Sequence, residues 1–109
     1  MSTLKNPLRT EHPTAEKRRL SARLVPLGRT VATPAVIDAV PYKELADALG
    51  RHMQRDWGNV CEADWSANDR ALKRRERLLS SYSARDGTEF WIITEWDRSY
   101  TTILMPSDY

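Results

Sequence analysis

Apolar residues change their spacing twice along this 109-residue chain. The first 23 residues show no apolar period. Leu24, Val25, Leu27, Val31 and Ala32 then favour an extended segment, and Pro26 and Gly28 inside it predict a strand that is short or at a sheet edge. Thr33 suits a helix N-cap and Pro34 the first helical position, so a short helix is predicted over Pro34–Val40, ended by Pro41. Tyr42, Leu45, Ala46, Leu49 and Met53 recur every three or four residues, which predicts an amphipathic helix. Asp56-Trp57-Gly58 should close it, with Gly58 as its terminal glycine. A third helix is predicted from Glu62 to Lys73. Its apolar set is Cys61, Trp65, Ala67, Ala71 and Leu72, opposite Asp64, Asp69, Lys73 and Arg74.

Alternation takes over in the last third. Arg77–Tyr82, Glu89–Glu95 and Tyr100–Met105 read as strands, joined by Arg85-Asp86-Gly87-Thr88 and Asp97-Arg98-Ser99. Three strands in sequence make an antiparallel meander, and the two longer helices are its cover. The expected fold class is α+β. It comprises two main helices packed on a three-stranded antiparallel β-meander, with a short N-terminal strand and a flexible basic arm. The arm spans residues 1–23 and the single domain residues 24–109. The central strand puts Phe90, Ile92 and Thr94 on one face and Trp91, Ile93 and Glu95 on the other. Helices cover one face only, so the other is expected to meet the N-terminal segment, a second copy of the chain, or another partner.

Charge divides the chain. Residues 1–25 hold six basic and two acidic residues, against 11 basic and 13 acidic in the remainder, for an overall +2. The arm has too little apolar surface to offset the entropy of ordering. Mean hydropathy is −0.62, and no apolar run approaches the roughly 20 residues of a membrane helix. No secretory h-region opens the chain. The lone Cys61 offers neither an internal disulfide nor a CxxC metal site, so a cytoplasmic setting without membrane contact is expected.

Several segments carry a resemblance. They are Gly28-Arg29-Thr30-Val31-Ala32-Thr33-Pro34, Asp56-Trp57-Gly58, Asn68-Asp69-Arg70-Ala71-Leu72, Arg77-Leu78-Leu79-Ser80, Asp86-Gly87-Thr88, Trp91-Ile92-Ile93-Thr94-Glu95, Asp97-Arg98-Ser99 and Thr101-Thr102-Ile103-Leu104. Over about three quarters of its length the chain resembles small proteins borne by plasmids and integrative elements of proteobacteria. Such proteins are often labelled plasmid-related protein or type I restriction methylation subunit. The resemblance implies a mobile-element setting with accessory or defence-related roles, and it implies no reaction. The chain has no Gly-rich cofactor loop and no Asn-Pro-Pro-aromatic motif for methyl transfer.

No catalytic, metal or cofactor site is expected. His52 with Asp56 at i+4 reads as a surface helix contact, and Cys61 as a small buried residue. Asp56, Glu62, Asp64 and Asp69 match no EF-hand spacing. Asp69 and Lys73 suit a surface ion pair. Asn68-Asp69 is a poor pair inside a helix. It is read first as a hydrogen bond from Asn68 to a neighbouring loop, fixing Trp57-Gly58. The leading functional reading is a non-enzymatic interaction or accessory protein of a mobile element that modulates host defence by steric contact with a host or element-encoded protein. Its contact residues would be Trp57, Asn68, Asp69, Arg70, Glu95, Asp97 and Arg98, which sit at connections. A homodimer is among the expected assemblies. The alternative is a nucleic-acid-binding accessory protein using Arg70, Lys73, Arg74, Arg75 and Arg77, with Tyr82 or Trp96 as a stacking ring. A weaker alternative is a small hydrolase-type toxin built on His52, Asp56 and Asp69.

Overall fold

Phe90-Trp91-Ile92-Ile93 is the most apolar stretch of the chain, and its strand lies inside the sheet. A computed structural model of the protein describes residues 24–109, and the basic arm predicted over 1–23 lies outside them. The elements are β1 (Arg29–Ala32), α1 (Pro34–Ala39), α2 (Tyr42–Met53), α3 (Glu62–Arg74), β2 (Leu78–Ser83), β3 (Glu89–Thr94) and β4 (Tyr100–Leu104). A 3₁₀ turn over Pro106–Asp108 follows. The fold is α+β as expected, but the sheet has four strands in the order β1-β4-β3-β2. The predicted meander is only part of it. β2, β3 and β4 pair antiparallel, and β1 adds parallel to β4 with Thr30 opposite Thr101. Three intervening helices carry the chain from the β1 edge across to β2, which is why β1 and β4 can run parallel.

Local chemistry sets the element ends. The Thr33 hydroxyl accepts from the Val36 amide at 3.2 Å, with Pro34 at the first helical position. Gly28 precedes β1 with φ +62°, and any Cβ there would strike the Ser99 and Arg98 carbonyls. Gly58, φ +76°, lies against the Ser81 carbonyl and the Tyr82 ring, where the loop before α3 bridges to β2. Both positions need glycine for close approach as well as for the left-handed backbone.

One sheet face packs on α1 and α2. Val36, Val40, Leu45 and Ala48 meet Tyr82, Phe90, Ile92 and Ile103 in the main cluster. Fully burying each of the larger apolar side chains contributes about 1.5–3 kcal/mol. A second cluster joins Val25, Trp57, Ala71 and Leu78 under α3. The buried stripe of α2 is Leu45, Ala48 and His52, rotated from the predicted Tyr42/Leu45/Ala46/Leu49/Met53 set, because His52 occupies a core position that a hydrophobicity count leaves out. α3 buries Asn68 and Ala71, while Ala67 and Cys61 are exposed. Cys61, expected to be buried, is the N-cap of α3.

On the other sheet face the C-terminal residues supply part of the cover, an option absent from the expectations above. The Tyr109 ring lies edge-on to Trp91, 5.7 Å between centroids, and its hydroxyl accepts from Arg77 at 2.6 Å. Ile93 and Leu104 are buried on this face.

Asn68 fastens α3 to the free edge of β2. Its Nδ2 donates to the Leu79 carbonyl at 2.8 Å and its Oδ1 accepts from the Leu79 amide at 3.2 Å. The pair completes a strand edge that no further strand among the described residues covers. Asn68→Ala is expected to lower unfolding stability by roughly 2 kcal/mol. Asn68→Asp, which sets a carboxylate against the Leu79 carbonyl, should cost more. Urea denaturation of the three proteins checks the order.

Candidate functional site: an arginine-lined cleft beside a buried hydrogen-bond chain

The polar interior is organised around His52. Its ring is fully buried, with Nδ1 2.6 Å from Ser80 Oγ and Nε2 2.8 Å from Thr94 Oγ1. Thr94 Oγ1 lies 2.8 Å from Thr101 Oγ1, and Thr101 donates to the Leu27 carbonyl at 2.8 Å. The proton positions follow by elimination. Thr101 gives its only hydroxyl proton to Leu27, so it accepts from Thr94. Thr94 therefore accepts from Nε2–H, and Nδ1 accepts from Ser80. The chain runs one way, Ser80 to His52 to Thr94 to Thr101 to Leu27, and it requires neutral, Nε2-protonated imidazole. Burial, and then the Arg98 charge, push the His52 pKa down to about 4. Trp57 packs edge-on to the ring at 5.5 Å.

The expected surface contact between His52 and Asp56 is therefore absent. Asp56 instead takes Arg51 Nε at 2.8 Å. Asp69, expected to pair with Lys73, accepts from Trp57 Nε1 at 3.0 Å. His52, Asp56 and Asp69 each serve a separate bond, so the toxin constellation is not assembled. Among the described residues, no group of three or more His, Cys, Asp or Glu is placed to hold a metal ion, and no helix is long and apolar enough to cross a membrane.

The predicted contact residues fall into two kinds. Trp57 is wholly buried and Asn68 nearly so; neither has surface to offer a partner, because both hold α3 to the sheet. Tyr82, a predicted stacking ring, is also buried, with its hydroxyl donating to the Asp56 carbonyl at 2.7 Å. Arg70, Lys73, Arg74, Arg75 and Asp97 are exposed, Arg98 is half-buried, and Trp96 is 62% exposed. Arg77 is exposed as well, and lies 3.7 Å from Glu95.

Arg98 points its guanidinium at the C-terminal end of α3. Nη1 donates to the Glu76 carbonyl at 2.7 Å and to the Glu95 carbonyl at 3.0 Å, and Nη2 to the Ala71 carbonyl at 3.3 Å. A cation there satisfies carbonyls left open by the helix end and complements its dipole. Beside it opens a cleft of about 340 Å³ lined by Leu24, Val25, Pro26, Arg55, Leu72, Arg75 and Arg98. Arg55, Arg75 and Arg98 have φ of 69°, 58° and 60°, and among the described residues they are the only non-glycine positions with positive φ. All three line this one cleft, and no acidic side chain does. The positive field is felt nearby. Burial and then the Arg75 charge push the Arg98 pKa down, and Arg75 adds to the serine hydrogen bonds that lower Asp97.

Of the three arginines that line the cleft, the sequence singled out Arg75 in the basic run and Arg98 as a protein contact, but not Arg55. The signal was available in Gln54-Arg55-Asp56, a helix exit where a left-handed residue is usual.

The His52 environment sets a pH dependence. Unfolded histidine binds its proton near pH 6.5, whereas the folded ring resists until about pH 4. The contribution to stability is therefore full above pH 6.5 and lost as pH falls through that interval, by roughly 3 kcal/mol in all. His52→Gln, whose amide can accept from Ser80 and donate to Thr94, should flatten the stability profile between pH 6.5 and 4. Chemical denaturation at stepped pH measures it. Comparison with known protein families, with curated proteins and with solved structures returned no match.

Proposed function

We propose that the protein is a non-enzymatic accessory protein that binds single-stranded nucleic acid through the arginine-lined cleft and the adjoining basic end of α3. The observation that carries this reading is the coincidence of three left-handed arginines around one cavity. A non-glycine residue in that conformation costs about 1–3 kcal/mol, and such residues gather at functional sites. Glycine would relieve the cost at each position, so arginine there argues for a use of the charge.

The surroundings fit phosphate recognition. Arg70–Arg77 holds five cations against Glu76 alone, although residues 24–109 are slightly acidic as a whole, which localises the attraction to this end. Trp96, exposed two residues before Arg98, offers a ring for base stacking next to the charges. Stacking with a basic groove suits flexible strands and requires no groove-reading helix. The mobile-element setting implied by the sequence resemblance accommodates such a role. Steric contact with a protein, modulating host defence, is the second reading. It is favoured by an apolar groove of about 380 Å³ beside β1, lined among others by Val31, Ile37, Tyr42 and Leu49.

Anisotropy of a labelled oligothymidylate separates the two. The expected result is binding that weakens with salt, with a log–log slope of about −2 to −3 for three to four phosphate contacts. Arg74→Glu should abolish it at moderate salt, and Trp96→Ala should cost about tenfold or more. Arg75→Gly should weaken binding while raising stability by about 1 kcal/mol, because it removes a left-handed side chain together with its charge. No binding at low salt, or binding indifferent to these arginines, overturns the reading.

A further inference from the structure

We infer that β1 is a self-association edge: two copies of the chain pair their β1 strands antiparallel about a two-fold axis through Val31, forming one continuous sheet. β1 has β4 on one side and, among the described residues, no strand on the other. The Arg29 amide donates to the Ser99 carbonyl and the Thr33 amide to the Ile103 carbonyl, each at 3.0 Å. In a parallel ladder alternate residues turn the same way. Arg29, Val31 and Thr33 therefore bond inward to β4, and the N–H and C=O groups of Thr30 and Ala32 point away from the sheet.

Those outward groups select one register. With the axis at Val31, Thr30 faces the partner's Ala32 and Ala32 the partner's Thr30, and each pair exchanges hydrogen bonds in both directions. Centring on Ala32 would set Thr30 against Pro34, which has no N–H. Centring on Thr30 would need Gly28, whose φ of +62° is not extended. Only the Val31 register uses every outward group.

Side chains on both faces suit a second copy as the occupant. Val31, 39% exposed, would meet Val31 of the other copy at the close non-hydrogen-bonded spacing. In the same register Arg29 falls opposite Thr33 of the other copy. The Thr33 hydroxyl donates to Asp108 Oδ2 at 2.7 Å, so a carboxylate stands where Arg29 arrives. Among the described residues Arg29 has no ion-pair partner of its own. On the helix face, Ile37, Tyr42, Ala46 and Leu49 line the groove beside β1. Tyr42 is 84% exposed, although its sequence spacing marks it as part of the apolar stripe. Across the two-fold these stripes would face one another. Among the described residues, only its brevity and one charge, Arg29, blunt this edge, and no proline lies between Arg29 and Ala32.

Sedimentation equilibrium at about 100 μM, with cross-linking by cysteine, tests the register. A dimer is expected, and Val31→Lys, which places like charges across the axis at a solvent-exposed position, should weaken it at least about tenfold. In a Cys61→Ala background, Val31→Cys should form an intermolecular disulfide under mild oxidation, since the paired Cα atoms lie within disulfide reach. Thr30→Cys, facing Ala32 of the other copy, should not. A monomer at all concentrations overturns the inference. So does a dimer unaffected by Val31→Lys, which would place the interface elsewhere, or one in which Thr30→Cys cross-links and Val31→Cys does not. Circular dichroism of each variant confirms that the monomer fold is intact.

Discussion

The fold depends on a single line of hydrogen bonds through its centre. Ser80 on β2, His52 on α2, Thr94 on β3, Thr101 on β4 and the Leu27 carbonyl before β1 are joined in order. Every layer of the domain contributes one member. The line separates the two apolar clusters and lies on the same sheet face as Ile92 and Ile103. A buried polar group left without a partner costs about 1–3 kcal/mol. A slip of β2 or β4 by one residue would orphan several at once and turn their side chains to the other face. The chain therefore fixes register where a purely apolar core would tolerate more than one packing.

Its terminus connects the interior to the surface. Leu27 accepts the last proton, and its neighbours Leu24, Val25 and Pro26 line the arginine cleft. The Val25 amide also donates to the Met53 carbonyl at 2.8 Å, one residue past His52. The wall of the cleft is thus held by the same elements as the imidazole. Arg98 acts on both sides: it closes the carbonyl end of α3, and its charge helps keep His52 neutral.

Much of the fold was legible in the sequence, because period and turn chemistry agree there. Thr33-Pro34, Pro41, Asp86-Gly87 and Asp97-Arg98-Ser99 mark boundaries close to the observed ones, and Pro26 and Gly28 correctly predict a short edge strand. Topology was not legible to the same degree: nothing in Arg29–Ala32 states that its partner is β4, seventy residues away. The interior was the least legible part. His52, Ser80, Thr94 and Thr101 look polar in a count of hydrophobicity, and their mutual satisfaction appears only when four elements meet. Asn68 was recognised as misplaced in a helix and its hydrogen-bonding role anticipated, though the partner is the edge of β2 and not a loop. Trp57 was misjudged because a tryptophan at a connection reads as exposed, whereas Asp69 and His52 hold it inside. The cationic site was half legible, since the run Lys73–Arg77 is visible in one dimension but the approach of Arg55 and Arg98 is not.

One short segment links the two surfaces. Residues 24–26 line the cleft, Gly28 turns under the Ser99 carbonyl, and residues 29–32 form the open edge. No more than about 20 Å of extended chain separates Val31 from Pro26. Pairing two edges about Val31 would therefore set two arginine clefts symmetrically within about 40 Å of each other. On the reading proposed above, each cleft alone would bind with the modest affinity of a few phosphate contacts. A strand reaching both would experience the second as an intramolecular site, at an effective concentration of order millimolar for a short flexible link. Gly28 is the element on which this coupling turns. Its close approach to the Arg98 and Ser99 carbonyls joins the backbone of the edge strand to the loop that carries the arginine, so the edge and the charge share one rigid support.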